Sequence, residues 1–407
     1  MLNYKNLITE INGGVTAPEG FIASGVSSGI KKDGRPDLAL VCSRKKCSAA
    51  GIFTLNRIKG HSLKLCSENI SDGSASCVFI NSGNANACVG QEGFRDAKRI
   101  AEICAENLKI SPHEVLTAST GVIGYRLPME KIANGIEDAA VSLSKDRGSD
   151  AANAIMTTDT FKKEYSLMFH YKGKEIKIGG MAKGSGMIHP NMATMISVIT
   201  TDAYVEPSLL KEFLTHAANV SFNRISVDGE TSVCDSVMML ANGLSGCTVS
   251  SDDADLCQLF LFALEMLCKK LARDIVSDGE GATKLIEVNV LNAPDSESAL
   301  SAAKAVANSP LVKTAINGED ANWGRILTAI GYSGADFNPE TTKIFFDDLV
   351  VFSNGKAVEF NEETASRILS RNEITINIDF GNGNFSDTVW TCDFSHGYID
   401  INAHYRT

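Results

Sequence analysis

No apolar run in this 407-residue chain approaches the roughly 20 residues that a helix needs to span a bilayer. The longest candidate, residues 259–267, carries Glu265 and reads as a buried helix. The opening Met1-Leu2-Asn3-Tyr4-Lys5 has no basic region followed by an apolar core. No signal peptide is therefore expected, and a cytoplasmic protein is the simplest expectation. Positive charge is in deficit: 38 Lys and Arg against 49 Asp and Glu give a formal net charge of −11. That balance argues against nucleic acid or an anionic membrane as partner, and leaves room for a local basic pocket that holds a small carboxylate. Eleven cysteines are present, but none stands in a CxxC pair and the odd number leaves one unpaired. Settings such as Cys77 before Val78-Phe79-Ile80 read as reduced, buried small hydrophobes. No His/Cys cluster has ligand spacing, so no metal is expected. Short-period repeats and low-complexity tracts are missing as well.

What is present is ordinary for a globular enzyme, with 44% hydrophobic and 21% charged residues. The length suits two or three domains, or one large two-lobed unit. Residues 39–42 and 77–80 read as buried strands, and 115–124 as a strand entering a turn of small residues. Apolar spacing predicts helices over 96–108, 129–143, 207–219, 255–277 and 299–308. Strands are expected over 195–200, 343–352 and 374–379. Helices and strands mix in both halves, which points to an α+β or layered α/β architecture.

Near the midpoint lies Gly180-Met181-Ala182-Lys183-Gly184-Ser185-Gly186-Met187-Ile188-His189-Pro190-Asn191-Met192-Ala193-Thr194-Met195. By residue type alone, a Gly-rich loop ahead of a strand is usually a connector. The alternative is chemical. A threonine hydroxyl is a weak nucleophile unless a base takes its proton, and an N-terminal threonine carries that base in its own α-amine, pKa roughly 7.7–8.0. Exposing that amine requires the Ala193–Thr194 peptide to break, by attack of the hydroxyl on the preceding carbonyl and hydrolysis of the resulting ester. Strain in the loop would help, and Gly184, Gly186 and Pro190 are the residues suited to supply it. His189 is a tempting base, but a structural role is preferred.

Other segments admit two readings in the same way. Thr120-Gly121 is either a plain strand-to-helix turn or a hydroxyl and a backbone N–H for an oxyanion. Lys183 is either a solvated charge or a partner for a substrate carboxylate. Met156-Thr157-Thr158-Asp159-Thr160 reads as a turn or helix cap, and Asp278-Gly279-Glu280-Gly281 as a cap and turn after the long helix. The ending Asp400-Ile401-Asn402-Ala403-His404-Tyr405-Arg406-Thr407 is aromatic and basic rather than a polar tail, and is expected to dock.

The midpoint string closely resembles the processing site of the ornithine acetyltransferase family, the glutamate N-acetyltransferases of the cyclic arginine pathway. Ala118-Ser119-Thr120-Gly121-Val122-Ile123-Gly124 is similar to that family's oxyanion-hole motif. Asn81-Ser82-Gly83-Asn84-Ala85-Asn86-Ala87, the 223–230 and 313–325 stretches, and Gly14-Val15-Thr16-Ala17-Pro18 resemble further signatures, so the likeness spans essentially the whole chain. One departure is Cys234, where an Asn is expected; it lies outside the expected catalytic set.

The resemblance implies a self-processing enzyme that transfers acetyl from N-acetylornithine to glutamate through an ester on Thr194. It implies Thr120 and Gly121 as oxyanion donors, cleavage between Ala193 and Thr194, and substrate contacts at Thr157, Lys183, Thr194, Glu280, Asn402 and Thr407. Residues 1–193 would form an α chain and 194–407 a β chain, folded as one unit and paired into a heterotetramer. The implied fold is a layered α/β sandwich, distantly like N-terminal nucleophile hydrolases. No cofactor is implied, and acetyl-CoA is left open as a second donor. Two rivals stand beside this reading: a related self-processing aminopeptidase or amidase, and a non-catalytic amino-acid-binding protein.

Overall fold

The computed structural model describes residues 4–189 and 195–404. A nine-stranded sheet runs in the order Ile8–Ile11, Lys163–Tyr171, Lys174–Lys183, Ile196–Thr201, Ser236–Ala241, Leu38–Phe53, Ser74–Asn84 and Val115–Val122, with Phe21–Val26 paired alongside Leu38–Phe53. A second sheet of seven strands is built from the last half of the chain, with Leu285–Ala293 between Glu373–Asp379 and Phe385–Cys392. The fold is thus a layered mixture of helices and mixed sheets, as the interleaved patterns predict.

Side-chain alternation explains why the two middle strands sit at the centre of the large sheet. Ile199, Val237 and Met239 point to one core, with the helices Pro207–Asn219 and Ala254–Ser277. Val198, Met238 and Leu240 point to the opposite core, with the helix Gly148–Ala154. Successive strand residues face opposite ways, so a strand apolar throughout must be covered on both sides. Every residue of Ile196–Thr201 and Ser236–Ala241 is buried. The stretches before and after the midpoint loop share this one sheet, because Lys174–Lys183 pairs antiparallel with Ile196–Thr201.

Helix boundaries follow their caps. Glu206 accepts from the Ser208 and Leu209 amides and starts Pro207–Asn219 where the sequence predicts. Asp295 accepts from the Ser298 amide, which starts the helix Ser296–Asn308 at 296 rather than at 299. The strand-rich stretch expected over 343–352 is a hairpin, Lys343–Phe346 and Leu349–Ser353, turned at Asp347, which takes a positive φ of 50°. An Asp-Asp pair interrupting an apolar run is the turn signal that the strand reading passed over.

Among the described residues all eleven cysteines are free; nine are buried, Cys257 is partly buried and Cys88 is exposed. No helix of the described residues is long and apolar enough to cross a membrane.

Candidate active site

Six of the residues singled out from sequence, Thr120, Gly121, Thr157, Lys183, Glu280 and Asn402, line one cavity of about 220 Å³. It is smaller than the roughly 300–1,000 Å³ of sites for drug-sized ligands, which suits a small metabolite. Ala193, Thr194 and Thr407 lie outside the described residues. Met195 and Ile196, which follow Thr194 in the chain, line the same cavity.

The Thr120-Gly121 turn is the end of the strand Val115–Val122, which runs parallel to Ser74–Asn84 with Gly83 opposite Gly121. Gly121 has a φ of 126°, and a Cβ there would lie 2.4 Å from the Gly83 carbonyl carbon and 2.6 Å from the Asn84 nitrogen. Only glycine fits so close to a neighbouring backbone. Buried polar groups brace the turn from behind. Ser119 donates to Asn81 Oδ1 at 2.7 Å, and the Asn81 amide donates to the Asn84 carbonyl at 2.9 Å. The Thr120 hydroxyl makes no hydrogen bond among the described residues and faces the cavity.

Lys183 ends the strand Lys174–Lys183, is buried, and forms no ion pair among the described residues. Two segments converge beside it. Asp159 accepts from the Thr157 amide at 2.8 Å and from the Gly184 amide at 2.8 Å. Burial opposes ionisation of Asp159, but Lys183 and Lys163 outweigh it and hold the carboxyl well below the usual carboxylate range. Asp278, read from sequence as a cap, accepts from the Thr160 amide and from Lys163 Nζ. Two residues on, Glu280 accepts from Asn402 Nδ2 at 2.8 Å, which ties the C-terminal helix His396–His404 into the site. That helix buries no residue fully, and it packs on the site through contacts of its exposed and half-buried residues. Tyr398 is one of them: its hydroxyl donates to Asp228 at 3.3 Å. Burial and the Asp228 carboxylate push the phenol well up.

The entry to the midpoint loop is held differently from the expectation. Gly186 has no positive φ; the left-handed residue is Met187, at 56°. The Asp228 carboxylate fixes that turn by accepting from the Met187 and Ile188 amides at 2.6 and 2.8 Å. Gly186 is needed for closeness instead, since its Cβ would fall 2.2 Å from Glu280 Oε2. His189 lies apart from the cavity lining, with Nδ1 3.3 Å from Ser226 Oγ and its ring held below its ordinary pKa chiefly by burial.

Cys234 and Asp235, neither assigned a role from sequence, also line the cavity. Cys234, outside the expected catalytic set, is buried in the wall with its thiol donating to the Ala85 carbonyl at 3.4 Å. Burial pushes that thiol well up, which suppresses the thiolate. Its neighbour Asp235 is 2% exposed, its Oδ2 finds no hydrogen-bond partner among the described residues, and burial raises the carboxyl well above the usual range. No group of three or more His, Cys, Asp or Glu arranged to hold a metal occurs among the described residues.

The ArgJ family model matches residues 22–407. The chain belongs to the ArgJ family. Among its relatives, the arginine biosynthesis bifunctional protein ArgJ of Caldanaerobacter subterraneus subsp. tengcongensis is 49% identical over 401 residues, covering 98% of this chain and 99% of the relative. The protein of the same name from Symbiobacterium thermophilum is 47% identical over 397 residues, covering 97% and 99%. The crystal structure of arginine biosynthesis bifunctional protein ArgJ from Bacillus halodurans is 42% identical, with a TM-score of 0.51, and covers 52% of this chain and 100% of that one. In this ArgJ family member the cavity therefore sits in a chain that matches its relatives along nearly its full length.

Proposed function

We propose that this protein transfers an acetyl group from N-acetylornithine to glutamate, through an ester on a Thr194 that the chain exposes by cutting itself after Ala193. The observation that carries the proposal is the meeting, in one cavity, of the turn Thr120-Gly121, a Lys183 with no ion pair among the described residues, and Thr157, Glu280 and Asn402, beside the residues that follow Thr194.

Processing begins as the Thr194 hydroxyl attacks the Ala193 carbonyl. The C–O bond forms, the C–N bond breaks, and the hydroxyl proton passes to the departing nitrogen. Water then cleaves the ester, leaving a carboxylate on Ala193 and a free amine on Thr194. In turnover that amine takes the hydroxyl proton while Oγ attacks the acetyl carbonyl of N-acetylornithine. The developing negative charge meets the Thr120 hydroxyl and the Gly121 N–H, donors each worth roughly 2.7–4 kcal/mol in comparable sites. Ornithine leaves with the proton, glutamate's amine attacks the same ester, and N-acetylglutamate departs. Lys183 holds the α-carboxylate of either amino acid, and the acidic side of the cavity at Glu280 receives the distal end of ornithine. Thr407 and Asn402 complete the pocket. No metal or organic cofactor takes part, and acetyl-CoA serves as a second donor in a bifunctional enzyme.

Two pieces, 1–193 and 194–407, stay together because strands from both build the nine-stranded sheet. That a whole solved chain of the family corresponds to about half of this one supports a mature protein in two pieces. Two such pairs form a heterotetramer, and the enzyme works in the cytoplasm.

The test is intact mass of purified protein under denaturing conditions, before and after incubation with N-acetylornithine. The expected result is two fragments divided between Ala193 and Thr194, the second one acetyl heavier after incubation and discharged by glutamate. Release of free acetate without glutamate dependence would favour an amidase. Supplying acetyl-CoA and glutamate without N-acetylornithine tests the second donor.

A further inference from the structure

Lys163 opens the strand Lys163–Tyr171 at a position that the alternation of that strand turns inward, and it is 1% exposed. Its ammonium donates to Asp159 Oδ1 at 2.7 Å, to Asp278 Oδ2 at 2.5 Å and to the Phe161 carbonyl at 3.3 Å. Both carboxylates are buried as well. Burying such a triad costs desolvation that an apolar cluster of the same volume would avoid, so stability alone gives little reason for it.

Its connections give a better reason. Asp159 holds the Thr157 amide with one oxygen and the Gly184 amide, next to Lys183, with the other. Asp278 holds the Thr160 amide and hydroxyl, and its own carbonyl accepts from Ser185 Oγ at 2.7 Å. The Ser185 carbonyl in turn accepts from the Glu280 amide at 3.1 Å. Three separate stretches, bearing Thr157, Lys183 and Glu280, are therefore pinned to each other through one lysine that does not line the cavity.

The charge balance adds a second effect. Asp159 feels both Lys163 and Lys183. Lys31 also lies within electrostatic reach of Asp159, but among the described residues it is Lys163 that pairs directly with both acids. Without it, Lys183, whose charge already acts strongly on Asp159, would be drawn toward that acid and away from the cavity.

We infer that Lys163 is a positioning residue for the amino-acid substrate: it locks the Thr157, Lys183 and Glu280 segments together and leaves Lys183 free for a carboxylate. This rests on the acetyl-transfer reading, so turnover by the unaltered enzyme is the control; a complete lack of acetyl transfer there overturns that reading and says nothing of Lys163.

The experiment measures kcat and KM for glutamate and N-acetylornithine in the processed enzyme and its variants. Lys163→Met is expected to raise both KM values about tenfold or more, with kcat falling by a smaller factor, since binding rather than the oxyanion turn is disturbed. The double variant Lys163→Met with Asp159→Asn removes the acid that would recapture Lys183, and is expected to recover part of the KM lost in the single variant. A purely structural lysine would lower the melting temperature without moving KM. Unchanged KM values in Lys163→Met overturn the inference, and so does equal KM in the single and double variants. Should Lys163→Met fail to fold or to process, Asp278→Asn alone decides, with raised KM expected and unchanged KM refuting.

Discussion

Gly186 and Glu280 are in contact at a distance that only a hydrogen permits: a Cβ on residue 186 would lie 2.2 Å from the Glu280 carboxylate oxygen. The loop that leads to Thr194 and the acid expected to receive ornithine are thereby packed as one surface. Because the obstructed atoms are the far end of a flexible side chain, Gly186→Ala should displace Glu280 rather than unfold the protein. The expected outcome is a melting temperature within a few degrees of the parent and a KM for N-acetylornithine raised roughly tenfold, about 1.4 kcal/mol. Steady-state kinetics with both amino acids checks it, and an unchanged KM removes Glu280 from the substrate.

At Gly121 the obstruction is backbone, so the outcome differs. Gly121→Ala forces the strand off Gly83 and Asn84, and also strains a φ of 126°. Stability should fall by about 1–3 kcal/mol or more from overpacking, and kcat by roughly 10²–10³ as the amide leaves its place. Thr120→Val separates these effects: it removes the hydroxyl, keeps the volume, and should lower kcat by a similar factor with little change in melting temperature.

Thr194→Ala removes nucleophile and processing together. A single uncut and inactive chain is expected in the denaturing mass spectrum. Fragments ending at residue 193 in that variant would refute cleavage by the threonine itself.

Lys31 supplies a pH dependence. Its ammonium donates to the Met156 carbonyl at 2.7 Å, just before Thr157, and burial, aided by Arg35, lowers its pKa from 10.5 to about 8. Between those two values the unfolded chain holds a proton that the folded chain has shed, so this lysine's contribution to stability rises with pH. Below pH 8 both states are protonated and the cost of burying the charge is present in full. Denaturant melts of the parent and Lys31→Met across pH 7–11 should therefore differ by an amount that shifts in the parent's favour as pH rises through that window. A difference that stays flat would refute the assignment.

Much of the site is visible in the sequence because its chemistry demands particular residues at turns. Thr120-Gly121 ends a strand of buried apolar residues, and Lys183 and Glu280 flank glycines that let chains approach. What the sequence hides is what only tertiary structure creates. Lys163 stands among alternating polar and apolar residues, where an inward lysine has no local mark; its two acids lie 4 residues before it and 115 after it. Asp278 follows a helix and so passes for a cap. Cys234 enters the cavity wall because Ala85 lies against it, a contact across 149 residues. Met187 adopts a left-handed turn that the neighbouring glycines seemed better suited to take, since Asp228 compensates the strain with two short hydrogen bonds.

The pairing of Lys174–Lys183 with Ile196–Thr201 makes the midpoint loop the bend of a hairpin in the middle of the large sheet. Cutting that bend converts an intramolecular pairing into one between separate molecules. Before the cut, refolding after denaturation is a unimolecular search whose yield is indifferent to dilution. Afterwards each half must find the other, so recovery depends on concentration, and a dilute sample unfolds for good. The scission that arms the nucleophile would also act as a ratchet: the chain has one opportunity to fold as a single thread.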